Sequence, residues 1–137
     1  MNEIDRVELS KYRANRAKDM LAASRREFEA GDYLTANNRA YYCIFHMMRS
    51  VLALDGEDYK KHSAVISRFV QNYLKPERIP REYSDLIFSA SLIRNHSDYD
   101  DFYICSKQDT ITLIQGAERF LNEVDRFLSL RYQEFLS

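Results

Sequence analysis

Residues 32–54 read DYLTANNRAYYCIFHMMRSVLAL and carry a wide apolar stripe at helical spacing. Asp32 suits the first position of this helix, because its carboxylate can accept hydrogen bonds from the free N–H groups of the first turn. The apolar side chains that follow recur at spacings of three and four: Ala36, Ala40, Cys43, Ile44, Met47, Met48 and Val51. Such a wide stripe predicts burial on more than one side, so we expect this helix to be central.

Helical apolar periods also occur on both sides of this segment. Four further helices are predicted: one that ends before Gly31, and others over approximately residues 63–74, 81–99 and 106–135. Ser106, with Asp109 three residues later, resembles a capping box at the start of the last helix. Five helices joined by short loops predict an all-α, up-and-down bundle of four to five helices. The length favours a single domain over residues 1–137.

Charge and hydropathy limit the classes of function. The chain has 20 Lys or Arg against 21 Asp or Glu, and this balance provides no overall electrostatic attraction for nucleic acid. No apolar run reaches the roughly 18 residues that a membrane span needs. Residues 1–10 also lack the apolar core of a signal peptide. We therefore expect a cytoplasmic protein that does not engage membranes.

Cysteine and histidine spacing give no sign of a metal centre. Cys43 and Cys105 share no CxxC spacing and are predicted to be free thiols. His46, His62 and His96 show none of the spacings that are typical of zinc ligands. Neither a metal nor another cofactor is therefore expected.

The central helix holds the first group of candidate functional residues. Arg39, Tyr42 and His46 lie at spacings of three and four, so they share one face of the helix. A guanidinium, a phenol and an imidazole on one face could bind a phosphate. The alternative is that the aromatic side chains pack in the core and the polar groups satisfy one another.

The end of the fourth predicted helix holds the second group. Arg94 and Asp98 are four residues apart and can form an ion pair. His96 is turned roughly 200° away from Arg94, and it can share a face with Tyr99 and Asp100. The alternative for this segment is a solvated helix end with an acidic tail.

Several short stretches together resemble the HEPN domain family, and more narrowly a largely uncharacterised prokaryotic subfamily within it. The resemblance covers about residues 11–129 and rests on the order of these pieces: Asp32-Tyr33, Asn38-Arg39-Ala40-Tyr41-Tyr42, Phe45-His46, Lys61-His62-Ser63, and Arg94 with Asp98-Tyr99. It implies a homodimeric helical bundle with a nucleotide or RNA cleft at the dimer interface. Two groups of candidate cleft residues follow, one on the central helix and one at the end of the fourth: Arg39, Tyr42, His46, and Arg94, Asn95, His96, Asp98, Tyr99.

Active members of this family carry an Arg, four to six variable residues and then a His, and they cleave RNA without a metal. Arg94 and Asn95 match the start of that motif. Tyr99, Asp100 and Asp101 stand where the His is required, so the ribonuclease motif is incomplete. A phenol of pKa near 10 is a poor general base at pH 7. We therefore expect little RNA cleavage by the natural protein.

The resemblance leaves three functions open. In the first, the chain is one half of a two-gene toxin–antitoxin module whose partner is a minimal nucleotidyltransferase that modifies a tyrosine, with Tyr99 as the candidate acceptor. In the second, it is a non-catalytic dimer that binds a nucleotide or RNA, and six basic residues over positions 11–26 could extend its phosphate-binding surface. In the third, it is a metal-independent ribonuclease. A nucleotidyltransferase gene next to this one would favour the first.

Overall fold

The structure is a computed structural model that describes residues 1–101 and 103–136. Within these residues the chain forms five α-helices and no strand: α1 (Glu3–Glu29), α2 (Tyr33–Leu54), α3 (His62–Phe69), α4 (Tyr83–Tyr99) and α5 (Lys107–Leu136). A π-helical segment, Val70–Leu74, continues α3. The prediction of an all-α bundle is confirmed.

Local sequence signals set several of the helix ends. Gly31 adopts a φ of +82° after α1, a conformation that glycine accepts without strain. Asp32 then caps α2, because its Oδ1 accepts a hydrogen bond of 3.0 Å from the N–H of Thr35. Ser106 does the same for α5, where its Oγ accepts from the N–H of Asp109 at 3.0 Å.

Two predicted helices differ in their bounds. The third begins at His62, and its α-helical part ends at Phe69, before the π-helical segment. The fourth helix begins at Tyr83, two residues later than expected. The residues after Pro80 first form a turn, in which the N–H of Ser84 donates to the carbonyl of Arg81 at 3.0 Å. The regular α-helical ladder starts only after this turn.

The central position of α2 is confirmed. It packs against α1, α5, α4 and α3, and its apolar stripe is fully buried, with Ile44, Met47 and Met48 among the largest buried side chains. Hydrogen bonds tie the long helices together at polar positions. Ser24 of α1 donates to the carbonyl of Ala36 at 2.7 Å. This packing makes α2 a rigid support for the side chains it presents to α3 and α4.

The two shorter helices, α3 and α4, lie beside each other on α2 and leave an open groove between them. The groove has a volume of about 690 Å³. On the outer side of α4, Leu92 and Tyr99 are 58% and 79% exposed. None of the helices in the described part of the chain combines the length and the apolar character that crossing a bilayer requires.

Candidate functional site

A cleft of about 400 Å³ lies where the start of α3 meets the second half of α4. Its walls come from α2, α3, α4 and the loop that precedes α3: Tyr41, Lys60, Lys61, His62, Ser63, Ile66, Ser91, Arg94 and Asn95. Three of these side chains, Lys60, Lys61 and Arg94, are cationic. The cleft is therefore a concave surface with a concentration of positive charge, although the chain as a whole is nearly neutral.

Arg94 is held against the inner wall of this cleft. Its side chain is 21% exposed, and its guanidinium lies 5.3 Å from the centre of the Tyr41 ring. Its Nε lies 3.5 Å from Oδ2 of Asp98, but this buried nitrogen makes no hydrogen bond with any described residue. The charge of Asp98 and the face of the Tyr41 ring thus position the guanidinium, and a guanidinium in such a cleft can bind an oxyanion through its other nitrogens.

His62 is fixed by the aromatic side chains of α2. Its Nδ1 lies 2.8 Å from the hydroxyl of Tyr41, and its ring stacks on Phe45 at a centroid distance of 4.1 Å. Tyr42 meets the same imidazole edge-on at 5.8 Å. The first residue of α3 is thus oriented by three rings of a neighbouring helix.

The environment keeps these groups uncharged at neutral pH. Burial, reinforced by the nearby charges of Arg94 and Arg49, lowers the pKa of His62. Burial also raises the pKa of Tyr41 to about 12, although Arg94 opposes this shift. The hydrogen bond therefore joins a neutral phenol to a neutral imidazole. If the phenol is the donor, the imidazole carries its own proton on Nε2.

Of the candidates on α2, Tyr42 contacts the cleft wall through His62. His46 is half-buried against the rings of Tyr42 and Phe45. Its pKa is lowered to about 4 by burial, and then by the charges of Arg16, Arg49 and Arg13.

Arg39 donates from Nη1 to Oδ1 of Asn38 at 2.6 Å. Neither Arg39 nor His46 is among the described residues that line the cleft. The rings of Tyr41 and Tyr42 lie equally far from that of His62, at 5.8 Å. Phe45, one position or about 100° round α2 from His46, stacks on His62 at 4.1 Å.

The candidates on α4 also separate into two groups. Arg94 and Asn95 line the cleft, and Asp98 takes part through its ion pair with Arg94. His96 instead bonds through Nδ1 to Oδ2 of Asp100 at 2.6 Å, and Tyr99 is an exposed side chain. The helical rotation between positions 94 and 96 accounts for this separation.

Sequence reasoning missed several residues of the cleft wall as site residues. These are Tyr41, Lys60, Lys61, His62, Ser63, Ile66 and Ser91. The sequence signal for three of these residues was the stretch Lys61-His62-Ser63, because it contributed to the family resemblance. The proximity of these three residues to Arg94 depends on how α3 and α4 are each placed on α2.

Three of the six basic residues of the run in α1 form ion pairs within the fold. Arg13 pairs with Asp58 at 3.1 Å, Lys18 with Asp125 at 3.4 Å, and Arg25 with Glu118 at 2.7 Å. The cysteines are free thiols, as predicted. Among the described residues, no group of three or more His, Cys, Asp or Glu side chains could hold a metal ion.

Comparison with known proteins identifies similar sequences. The model of the HEPN domain matches residues 10–127. "Putative toxin MJ0142" of Methanocaldococcus jannaschii is 27% identical over 113 residues, which cover 82% of this chain and 77% of the relative. "UPF0332 protein glr0978" of Gloeobacter violaceus is 30% identical over 116 residues, with coverages of 84% and 92%. A "UPF0332 protein" of Thermotoga maritima is 23% identical over 128 residues, with coverages of 93% and 96%. The region matched by the HEPN model includes the whole cleft wall.

Proposed function

The chain belongs to the HEPN domain family, and on that premise we propose that it is the toxin-like half of a two-gene module, which binds a nucleotide or RNA in the cleft beside Arg94. It acts as one domain over residues 1–137. The observation that carries this proposal is the cleft itself, where Arg94 and two lysines surround a space of about 400 Å³. The relative whose name is "Putative toxin MJ0142" supports the toxin-like role.

The proposed active unit is a homodimer. Leu92 and Tyr99 form an exposed apolar strip along α4, seven residues or nearly two helical turns apart. Pairing of two copies along this strip would remove apolar surface from water and would place the two Arg94 clefts on either side of one two-fold axis, because Arg94 lies about 200° round α4 from Leu92. A polynucleotide could then contact both clefts.

The proposed partner is a minimal nucleotidyltransferase, and Tyr99 is the proposed acceptor. Its side chain is exposed at the last position of α4 in a single copy of the chain, so the partner would reach its hydroxyl before two copies pair along α4. A base of the partner would remove the phenol proton, and the phenolate would attack the α-phosphorus of a nucleoside triphosphate. A new phosphodiester bond would form on the tyrosine oxygen and pyrophosphate would leave.

A second candidate is binding without catalysis. Tyr99, Asp100 and Asp101 occupy the positions where active relatives need the motif His, and His96 is bonded to Asp100 outside the cleft wall. This arrangement favours a nucleotide- or RNA-binding dimer over a ribonuclease.

Co-expression with the genomic neighbour tests the module. We expect the two proteins to co-purify and Tyr99 to gain the mass of one nucleotide in intact-protein and peptide mass spectrometry. The variant Tyr99→Phe removes the acceptor hydroxyl and should stay unmodified, whereas Tyr12→Phe, at another exposed tyrosine, should leave the modification intact. If the neighbour neither binds the chain nor modifies it, the non-catalytic reading replaces the module.

A further inference from the structure

The cationic cleft and the groove between α3 and α4 are parts of one continuous surface. Ser63, Ile66 and Ser91 line both of them. Four of the eleven residues that line the groove are apolar, namely Ile66, Val70, Leu74 and Phe88, and Lys75 and Arg81 lie among the polar ones. We infer that cleft and groove together bind a nucleotide with a terminal phosphate monoester, with its phosphate in the cleft and its base in the groove. This inference rests on the proposed nucleotide-binding function and specifies the class of ligand.

The charge of the cleft fits a monoester better than an internal phosphodiester. Lys60 and Lys61 have no ion-pair partner in the described part of the chain. Arg94 forms an ion pair with one carboxylate, that of Asp98. Three cations against one carboxylate leave an excess of positive charge. A phosphate monoester carries close to two negative charges at neutral pH, whereas a phosphodiester carries one.

Besides its cationic side chains, the cleft offers further hydrogen-bond donors for phosphate oxygens. Helix α3 begins at His62 without a side-chain cap, so the N–H groups of its first turn lie next to the lysines. The hydroxyls of Ser63 and Ser91 belong to the same wall. These donors support a phosphate that the cations attract, and they would be unsatisfied by an apolar ligand.

The groove provides a surface for the base. Phe88 lines it and is 58% exposed, so its ring is accessible to a ligand in the groove. Any of the nucleobases can stack on such a ring, because each has a flat π-face. Because groove and cleft share a wall, phosphate and base of one nucleotide could occupy both parts together.

Calorimetric titration of the full chain with 5′-AMP, adenosine and inorganic phosphate tests the two-part site. We expect 5′-AMP to bind at least tenfold more tightly than either fragment, because only the nucleotide occupies both parts. Equal affinity of 5′-AMP and inorganic phosphate, or of 5′-AMP and adenosine, would overturn the inference.

Short RNA oligomers distinguish a free nucleotide from an RNA end. The same sequence is compared with a 5′-phosphate, a 3′-phosphate and no terminal phosphate. We expect at least one phosphorylated form to bind about tenfold more tightly than the unphosphorylated form if the ligand is an RNA end. If the ligand is a free nucleotide, 5′-AMP binds and the oligomers do not. If all oligomers bind equally well, the proposed RNA cleft is supported but the site for a phosphate monoester is refuted. If neither the nucleotide nor any oligomer binds, the cleft and the monoester site are both refuted.

Matched variants assign the two parts. Lys61→Glu should weaken binding of 5′-AMP and phosphate about tenfold or more, whereas Lys107→Glu, at an exposed lysine that does not line the cleft or the groove, should not. Phe88→Ala should weaken 5′-AMP about tenfold and leave phosphate binding unchanged, with Leu130→Ala as the exposed apolar control. A Phe88→Ala protein that loses dimerisation but binds 5′-AMP normally would show that a second copy covers the groove, and this would overturn the inference.

Discussion

The hydroxyl of Tyr41 lies 2.8 Å from Nδ1 of His62, and this hydrogen bond joins the middle of α2 to the first residue of α3. The guanidinium of Arg94 lies over the same Tyr41 ring, 5.3 Å from its centre. One tyrosine thus positions a cation from α4 and an imidazole from α3. Three separate elements meet there to form the cleft wall.

Arg94→Ala should abolish most nucleotide binding while preserving the fold. Hydrogen bonds to a charged group contribute about 1.5–3 kcal/mol, so the affinity for 5′-AMP should fall about tenfold or more. The free energy of unfolding should change by no more than about 1 kcal/mol, because the Arg94–Asp98 pair is partly exposed. Titration and urea unfolding measure the two effects. Arg126→Ala, at an exposed pair with Glu123, is the control. Unchanged binding in Arg94→Ala would mean that Arg94 does not contact the nucleotide.

The chain should sediment as a dimer at micromolar concentration. Leu92→Asp should convert it to a monomer, because the substitution places a charge within the exposed apolar strip of α4. Leu130→Asp, at a similarly exposed leucine of α5, should leave the dimer intact. Sedimentation velocity of the three proteins distinguishes these outcomes, and a monomeric natural protein would contradict the proposed assembly.

Tyr99→His should produce metal-independent RNA cleavage that the natural protein lacks. The substitution supplies an imidazole in the window where active relatives carry one, and a general base contributes roughly 100- to 10,000-fold. Because positions 94 and 99 are about 140° apart on a helix, the two groups would have to meet across the dimer. The assay is cleavage of a structured RNA in EDTA, with Leu130→His as the remote control.

Two results of that assay would contradict the prediction. Strong cleavage by the natural protein would mean that another imidazole already acts, and His62 in the cleft wall would be the first to replace. No gain in a folded, dimeric Tyr99→His protein would mean that more than one histidine separates this chain from active relatives.

Asp58→Asn should destabilise the fold at neutral pH. The Arg13 side chain is only 8% exposed, and Asp58 is its carboxylate partner at 3.1 Å, while Arg49 reaches the same oxygen at 3.0 Å. Loss of the negative charge leaves Arg13 buried beside another cation. Because the carboxylate itself is largely exposed, we expect a loss of about 1 kcal/mol, measured by urea unfolding at pH 7. Asp125→Asn, which removes the partner of an exposed lysine, should cost less.

The same pair predicts a pH dependence. Burial of the carboxyl opposes the shift, but the hydrogen bond from Arg49 and the charge of Arg13 lower the pKa of Asp58 overall. A lowered carboxylate pKa stabilises the fold above the unfolded value of about 3.9, and this contribution is lost as the pH falls through the folded pKa. The difference between natural protein and Asp58→Asn should therefore shrink below about pH 4. An equal difference at pH 3 and pH 7 would show that packing, not charge, is responsible.

The helices could be predicted closely because their signals are local. The stripe from Ala36 to Val51 specified a buried α2, and Gly31 with Asp32 marked the boundary before it. The start of α4 could not be predicted as well, because the turn after Pro80 depends on hydrogen bonds that the apolar period does not report. Family membership could also be predicted from the sequence, because each of the short stretches that carry the resemblance is contiguous and their order can be read along the chain.

The sequence by itself therefore determined the helical bundle, the identity of Arg94 as a candidate and the family, because apolar spacing and motif order are properties of neighbouring residues. Only the tertiary structure decided which candidates meet. It placed Tyr41 and His62 beside Arg94 and left His96 and Tyr99 outside the cleft wall. The physical reason is that each helix presents a new side chain every 100°, so a contact between helices depends on their relative rotation. That rotation is set by how the buried faces of different helices pack together, and the sequence of one helix alone does not contain this information.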